Sequence, residues 1–348
     1  MLREIGGRRI GRSHPVFVIA EIGLNHGGRL DAALTLVDAA AAAGASAVKL
    51  QTLYADSLVA LDCPAPAHVS ASSLREFFRA FELDAREHRV VVDRARRHGL
   101  AVMSTPFSED VIPMLEGLEL DAYKIASGDL TNDGLIAAAA RTGRPLVIST
   151  GMSELDEVLR AVDVARSNGA TDLALLHCVS AYPTPADSQN LEAIATLAAT
   201  TGLPVGLSDH GPGLLSAVMA ATLGATIYER HLVAGDEDDA IDRAVSSTPA
   251  ELKAIVDALE QTRSALGDGI KRCLPAEAPN RIPSRRGLYA ASRLRAGDVV
   301  RPEDVAVLRP ASELSPAVRD TLIGTTLTRD LPAGAPFLAV DLAVVEPA

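Results

Sequence analysis

Short apolar runs that end in polar residues recur along the chain as far as Gly267, and a stretch of helical periodicity follows each one. Eight runs read as β-strands: Phe17–Glu21, Ala47–Gln51, Leu100–Thr105, Ala122–Ser127, Leu146–Thr150, Leu173–Cys178, Pro204–His210 and Thr226–His231. The intervening segments read as helices. Leu30–Ala43 keeps Leu34 and Val37 at helical spacing and stops at Gly44. Glu154–Arg166 follows Ser153 as the expected N-cap. Pro249–Leu266 follows Thr248, with Glu251 completing a capping box, and Gly267 closes it. Such alternation implies parallel strands joined by right-handed crossovers. Eight βα units within about 270 residues predict an α/β fold of the (β/α)8 TIM-barrel type, whose chemistry sits at the C-terminal ends of the strands. Those ends carry Glu21, Lys49, Gln51, Lys124, Ser127, Ser149, Ser208, His210, Glu229 and His231.

The pattern changes after Gly267. Residues 268–284 hold three prolines with little periodicity and read as a linker. Residues 285–348 contain an internal echo: Leu294-Arg295-Ala296-Gly297 precedes Asp304-Val305-Ala306-Val307, and Leu331-Pro332-Ala333-Gly334 precedes Asp341-Leu342-Ala343-Val344 at the same offset. The expected organisation is a catalytic barrel over 1–267, the linker, and a small β-rich module over 285–348 that packs against something else.

Composition narrows the function classes. The chain has 348 residues, 48% of them hydrophobic, so it can bury a full core without disulfides or a structural metal. A net charge of −12 with dispersed acidic residues argues against a nucleic-acid or anionic-membrane surface. Cys63, Cys178 and Cys273 lack CxxC spacing and suit a reducing compartment. The charged N-terminus has no apolar core of a signal peptide, and no apolar run approaches the ~20 residues of a membrane span. A cytoplasmic enzyme is expected.

Side-chain parity groups the candidate residues. Lys49 and Gln51 share a strand face, as do Ser208 with His210 and Glu229 with His231. A buried cation needs a partner, because an unpaired one costs several kcal/mol. Lys49 therefore either pairs with Glu21 across the barrel or joins Lys124 in an anion site for a phosphate or carboxylate. His210 and His231 lie on adjacent strands, within reach of one ion, and with oxygen ligands they suit Mn²⁺, Mg²⁺, Fe²⁺ or Zn²⁺. Cys178 reads as a buried, inert thiol among apolar neighbours, and His177 as outward-facing. The glycines of Asn25-His26-Gly27-Gly28 would let backbone N–H groups approach a ligand. Ser127-Gly128-Asp129 and Ser149-Thr150-Gly151 are small polar loops suited to phosphate oxygens.

The words IGLNHGG (22–28), VKLQT (48–52), STPF (104–107), YKIASGD (123–129), STGMS (149–153), LLHCVSAYPTP (175–185) with Asn190-Leu191, GLSDHGPG (206–213) and GATIYERH (224–231) resemble the sialic acid synthase family. RRGLYAASRLRAGDVV (285–300) with Arg309-Pro310 resembles its antifreeze-like SAF domain. The resemblance implies a divalent-metal-dependent condensation, with Mn²⁺ or Mg²⁺, of phosphoenolpyruvate with the aldehyde of an N-acylated amino sugar. Residues matching His210 and His231 would hold the metal. Glu21, Lys49, Lys124 and Glu229 would be catalytic, the first stabilising positive charge at carbon 2. Lys49, Lys124, Ser127, Ser149 and Ser208 match phosphoenolpyruvate-holding positions; Gln51, Tyr182 and Glu229 match positions near the sugar, and Ser180 and Asn25 join the substrate-binding set. A homodimer with exchanged C-terminal domains is implied, in which Arg309 reaches the partner's substrate.

Departures fall on the sugar side. Asp242-Arg243 follows an acidic loop, Asp236–Asp239, where the family commonly has an aspartate–histidine or similar pair. Arg309-Pro310-Ala311-Ser312-Glu313 replaces Arg-Pro-Gly-x-Gly, Gly287 stands for a serine, and Ser-Ala-Tyr at 180–182 is closer to pseudaminate-type sequences. Two other readings stay open. One is condensation with a different sugar aldehyde in secondary metabolism; the other is a non-catalytic sugar-phosphate binder on the same scaffold.

Overall fold

A computed structural model describes residues 2–61, 63–64, 71–235 and 240–342. The chain divides into two compact units, Met1–Gly267 and Asp268–Ala348. In the first, eight strands form a closed parallel barrel: β1 Phe17–Gly23, β2 Ala47–Thr52, β3 Ala101–Pro106, β4 Ala122–Ile125, β5 Leu146–Ser149, β6 Leu173–Cys178, β7 Val205–Asp209 and β8 Ile227–Leu232. Each pairs with the next, and β8 pairs with both β7 and β1, so no edge is left open. The outer ring is α1 Leu30–Ala42, α2 Ala85–Arg97, α3 Ile112–Glu116, α4 Asp133–Arg141, α5 Leu155–Ser167, α6 Ala193–Thr201, α7 Leu215–Leu223 and α8 Pro249–Leu266.

Local signals explain several helix ends. Thr248 and Glu251 form the expected reciprocal capping box at α8. The N-cap of α5 lies one residue later than expected: Glu157 reaches back to the Glu154 backbone, while Ser153 Oγ donates to the Gly151 carbonyl. A carboxylate three residues into the helix thus satisfies the backbone N–H of the N-cap residue itself.

Alternation along the strands positions the site. Phe17 and Ile19, Ala47, Ala101 and Met103, Ala122, Val147, Ala174 and Leu176, and Ile227 form one buried cluster inside the barrel. Leu2, Ile5 and Ile10 join it from the N-terminal hairpin. Val18, Ala20, Val48, Leu50, Ile148 and Leu175 have the opposite parity and pack with Leu36, Val37, Val91 and Val92 of the helices. Two residues beyond an inner apolar position the same face carries Glu21, Lys49, Thr105, Lys124, Ser149, Cys178 or Glu229. Hydrophobic burial, worth about 1.5–3 kcal/mol for each large aliphatic side chain, thus fixes the register that aims the polar ends into one cavity.

The C-terminal unit has its own core, including Leu288, Leu294, Val300, Leu322, Leu331 and Phe337. Strands β9 Gly287–Ala290 and β10 Val305–Leu308 pair antiparallel. The sequence echo corresponds to an internal two-fold relation. Leu294 and Leu331 exchange backbone hydrogen bonds of 2.9 and 3.0 Å. Gly297 N to Leu327 O is matched by Gly334 N to Ala290 O, and Ala291 N to Asp304 O by Thr328 N to Asp341 O. Asp304 caps Arg301 N as Asp341 caps Leu338 N, each at 2.9 Å. Ala343 and Val344 of the echo lie outside the described residues. The segment read as a linker contains a short exposed helix, Ala278–Ser284.

Candidate active site

A cavity of about 310 Å³ opens at the C-terminal ends of the barrel strands. It gathers Glu21, Lys49, Gln51, Lys124, Ser127, Ser149, Ser180, Tyr182, Ser208, His210, Glu229 and His231. Met152, Cys178 and Ser180 also line an adjoining cavity of about 760 Å³.

Charge is concentrated at its floor. Lys49 forms an ion pair with Glu21, so the cross-barrel pair expected as one alternative is present. Lys49 Nζ also lies 3.8 Å from Glu229, Lys124 Nζ lies 3.9 Å from the other Glu229 oxygen, and Lys49 donates to Thr105 Oγ1 at 3.1 Å. Burial pulls the Lys49 ammonium down to about 8 against the attraction of Glu229, with Lys124 lowering it further. Burial acts to raise the Glu229 carboxyl, but Lys124, Lys49 and the Ser208 hydroxyl together hold it below the ordinary carboxylate range. Two lysines and two carboxylates, each at most 5% exposed, form a balanced cluster that opens onto the cavity.

Around this floor, Ser149 Oγ, Ser180 Oγ, Glu21 Oε1 and Glu229 Oε2 are buried without a hydrogen-bond partner. Buried polar atoms are ordinarily satisfied, so such a concentration marks a place built for an incoming polar group. Gly151 permits it: a Cβ there would lie 2.5 Å from Ser180 Oγ and 2.8 Å from Ser127 Oγ. Its N–H donates to Ser127 Oγ at 3.0 Å.

The two histidines stand side by side, with ring centroids 5.6 Å apart and planes at 45°. Tyr182 lies over His210 at 4.4 Å. Burial, reinforced by His231 and opposed by Glu229, lowers the His210 imidazole to about 4, which keeps it in the neutral form a metal requires. His231 Nδ1 is buried 3.3 Å from an Asp242 oxygen without meeting hydrogen-bond geometry. Among the described residues no three His, Cys, Asp or Glu side chains form a ready ligand set. The two neighbouring imidazoles are donors of a kind that could hold a divalent ion.

Several expected roles change. Asn25 is outside the cavity lining: Nδ2 donates to Leu232 O and Ser246 Oγ, and Oδ1 accepts from Asp242 N at 3.0 Å. Its amide ties the 242–246 segment to the end of the barrel. Gly28 serves packing, since a Cβ there would lie 2.0 Å from Ala80 O. Cys178 is buried as expected, but it faces the cavity, with Sγ 3.8 Å from His210 Nδ1, and burial pushes its thiol up. His177 turns away and bonds Gln189 O at 2.8 Å. Thr105 lines the cavity and Asp242 stands against His231; strand parity marked the first, while nothing in the local pattern marked the second. Arg309 belongs to the C-terminal unit, and Asp236–Asp239 lies outside the described residues.

An N,N'-diacetyllegionaminic acid synthase of Legionella pneumophila is 36% identical, over 97% of each chain. A pseudaminic acid synthase of Campylobacter jejuni is 33% identical, over 92% of this chain and 94% of the relative. The crystal structure of an N-acetylneuraminic acid synthetase from Leptospira borgpetersenii, in complex with citrate, superposes with a TM-score of 0.72 at 32% identity, covering 80% of this chain and 94% of that one. The NeuB family model matches residues 36–271 and the SAF domain model residues 285–343, so the chain belongs to the NeuB family and carries a SAF domain.

Proposed function

We propose that the barrel condenses phosphoenolpyruvate with the open-chain aldehyde of an N-acylated amino sugar, forming a nonulosonic acid and phosphate. The observation that carries this reading is the presence of two buried lysines and the buried, unpartnered hydroxyl of Ser149 around one cavity. That arrangement suits a small, multiply charged anion. The names of the related synthases point the same way.

In this reading Lys49, Lys124, Ser127, Ser149 and Ser208 hold the phosphate and carboxylate of phosphoenolpyruvate. Gln51, Ser180, Tyr182 and Glu229 orient the acceptor. His210 and His231 would hold a divalent cation, Mn²⁺ or Mg²⁺, whose chemistry there would be Lewis-acid polarisation of the aldehyde. Carbon 3 of phosphoenolpyruvate bonds to the aldehyde carbon, and Glu21 faces the positive charge that develops at carbon 2. Water adds its oxygen to carbon 2, and the C–O bond to phosphate breaks. One proton of the water ends on the former aldehyde oxygen and the other on the departing phosphate.

The active form in this reading is a cytoplasmic homodimer with exchanged SAF domains, Arg309 completing the partner's site. Three free cysteines are consistent with a reducing compartment. The acceptor is the side on which Asp242-Arg243 departs from the family pattern, which favours condensation with a different sugar aldehyde as the second reading.

Calorimetric titration with phosphoenolpyruvate tests the anion site. Saturable binding is expected, weakened at least about tenfold in Lys124→Met, the scale of one lost charge-assisted contact. Equal binding by the folded variant contradicts the assignment.

A further inference from the structure

His210 and His231 are held in different ways. His231 lies within β8, paired with Glu21 of β1 on one side and with Ser246 of the short return strand Ser246–Ser247 on the other. His210 lies one residue past the end of β7, and the β7–β8 register ends at Asp209 and Arg230. The sheet ladder therefore stops just before the first imidazole. Side chains at 209 and 230 have the outward parity and take over from it.

Arg230 Nη1 donates to the carbonyls of Asp209 (3.2 Å) and Gly211, the residues on either side of His210. Its Nε donates to Ser247 Oγ at 3.0 Å, and Nη1 lies 3.7 Å from Asp209 Oδ1. Asp209 accepts from Gly211 N at 2.8 Å, Ser216 Oγ at 2.5 Å and Tyr228 OH at 2.8 Å. Arg230, Asp209 and Tyr228 are 5%, 3% and 1% exposed, so these bonds act in a low dielectric with little competition from water. One guanidinium plane thus holds both carbonyls through Nη1 and Ser247 through Nε, a combination that a single ammonium cannot reproduce in the same fixed geometry.

We propose that Arg230, anchored by Asp209, is a positioning residue that sets the separation and aim of His210 and His231. The inference rests on the reading of those imidazoles as the metal pair. It adds a buried support behind them, reached through backbone carbonyls instead of the ring nitrogens.

The test is Mn²⁺ titration of the full chain, followed by the electron paramagnetic resonance signal of the free ion, with thermal melts on the same samples. Loss of outer supports of metal ligands weakens binding about 10–100-fold, and that loss is expected for folded Arg230→Gln, with Arg230→Lys recovering only part. A merely structural role would lower the melting temperature and leave the affinity of the folded protein unchanged; affinity within about twofold of wild type overturns the proposal. Should Arg230→Gln fail to fold, Tyr228→Phe decides, since it removes only the phenol bond to Asp209. Weaker Mn²⁺ binding in that variant supports the proposal and unchanged binding overturns it. Wild-type protein that shows no saturable Mn²⁺ binding, or none sensitive to His231→Ala, overturns the metal reading itself and this inference with it.

Discussion

Ser208 Oγ donates a 2.8 Å hydrogen bond to Glu229 Oε1 across the β7–β8 pair, where the two residues are in direct register. The bond turns one Glu229 oxygen toward Ser208 and leaves Oε2 without a hydrogen-bond partner. Ser208→Ala removes the donor without adding bulk. Activity, kcat/KM, is expected to fall about tenfold or more, because a charge-assisted bond of this kind is worth about 1.5–3 kcal/mol. Steady-state kinetics beside a thermal melt check this; unchanged kcat/KM would count against Glu229 as an aligned catalytic group.

Gly151 packs closely against two serines of the cradle. A methyl group there would force Ser127 and Ser180 apart. Gly151→Ala is expected to lower kcat/KM by about a hundredfold, the scale of an ångström-level misplacement, with a small change in melting temperature. A large fall in melting temperature with normal kinetics would assign Gly151 to the fold alone.

Acid should weaken the barrel through His26. Burial, with His88 nearby, lowers its pKa from 6.5 to about 4 in the folded chain. The unfolded chain binds a proton in that window and the folded chain does not. The stabilisation is therefore full above about 6.5 and is lost as pH falls toward 4, with a slope of at most about 1.4 kcal/mol per pH unit from this residue. Urea unfolding followed by far-ultraviolet circular dichroism should show a shallower pH dependence in His26→Gln. An identical slope would place the acid sensitivity elsewhere.

Every residue lining the cavity lies before Gly267. A chain ending at Gly267 is expected to fold with a wild-type far-ultraviolet spectrum for its helices and, under the proposed role of Arg309, to have little synthase activity. Arg309→Ala in the full chain should reproduce the loss. A fully active truncated barrel would contradict a catalytic role for the C-terminal unit.

Much of this site was legible because strand parity is rigid. Once Phe17 and Ile19 face inward, Glu21 must follow, and the same step places Lys49 after Ala47 and Glu229 after Ile227. The loops were less readable, since their geometry depends on distant partners. Asn25 resembles a ligand residue until Ser246 and Asp242, more than 200 positions away, claim its amide. Gly28 is explained by Ala80. Asp242 was seen only as a departure, because no periodicity links it to His231.

The most direct test is phosphate release from phosphoenolpyruvate with Mn²⁺, across a panel of N-acetylmannosamine, its 6-phosphate, diacetamido-hexoses and simple sugars. Release that requires one acceptor, and that is lost in folded His231→Ala and Lys124→Met, is the expected result. Absence of both phosphoenolpyruvate binding and acceptor-dependent release in folded, metal-supplied protein would contradict the account.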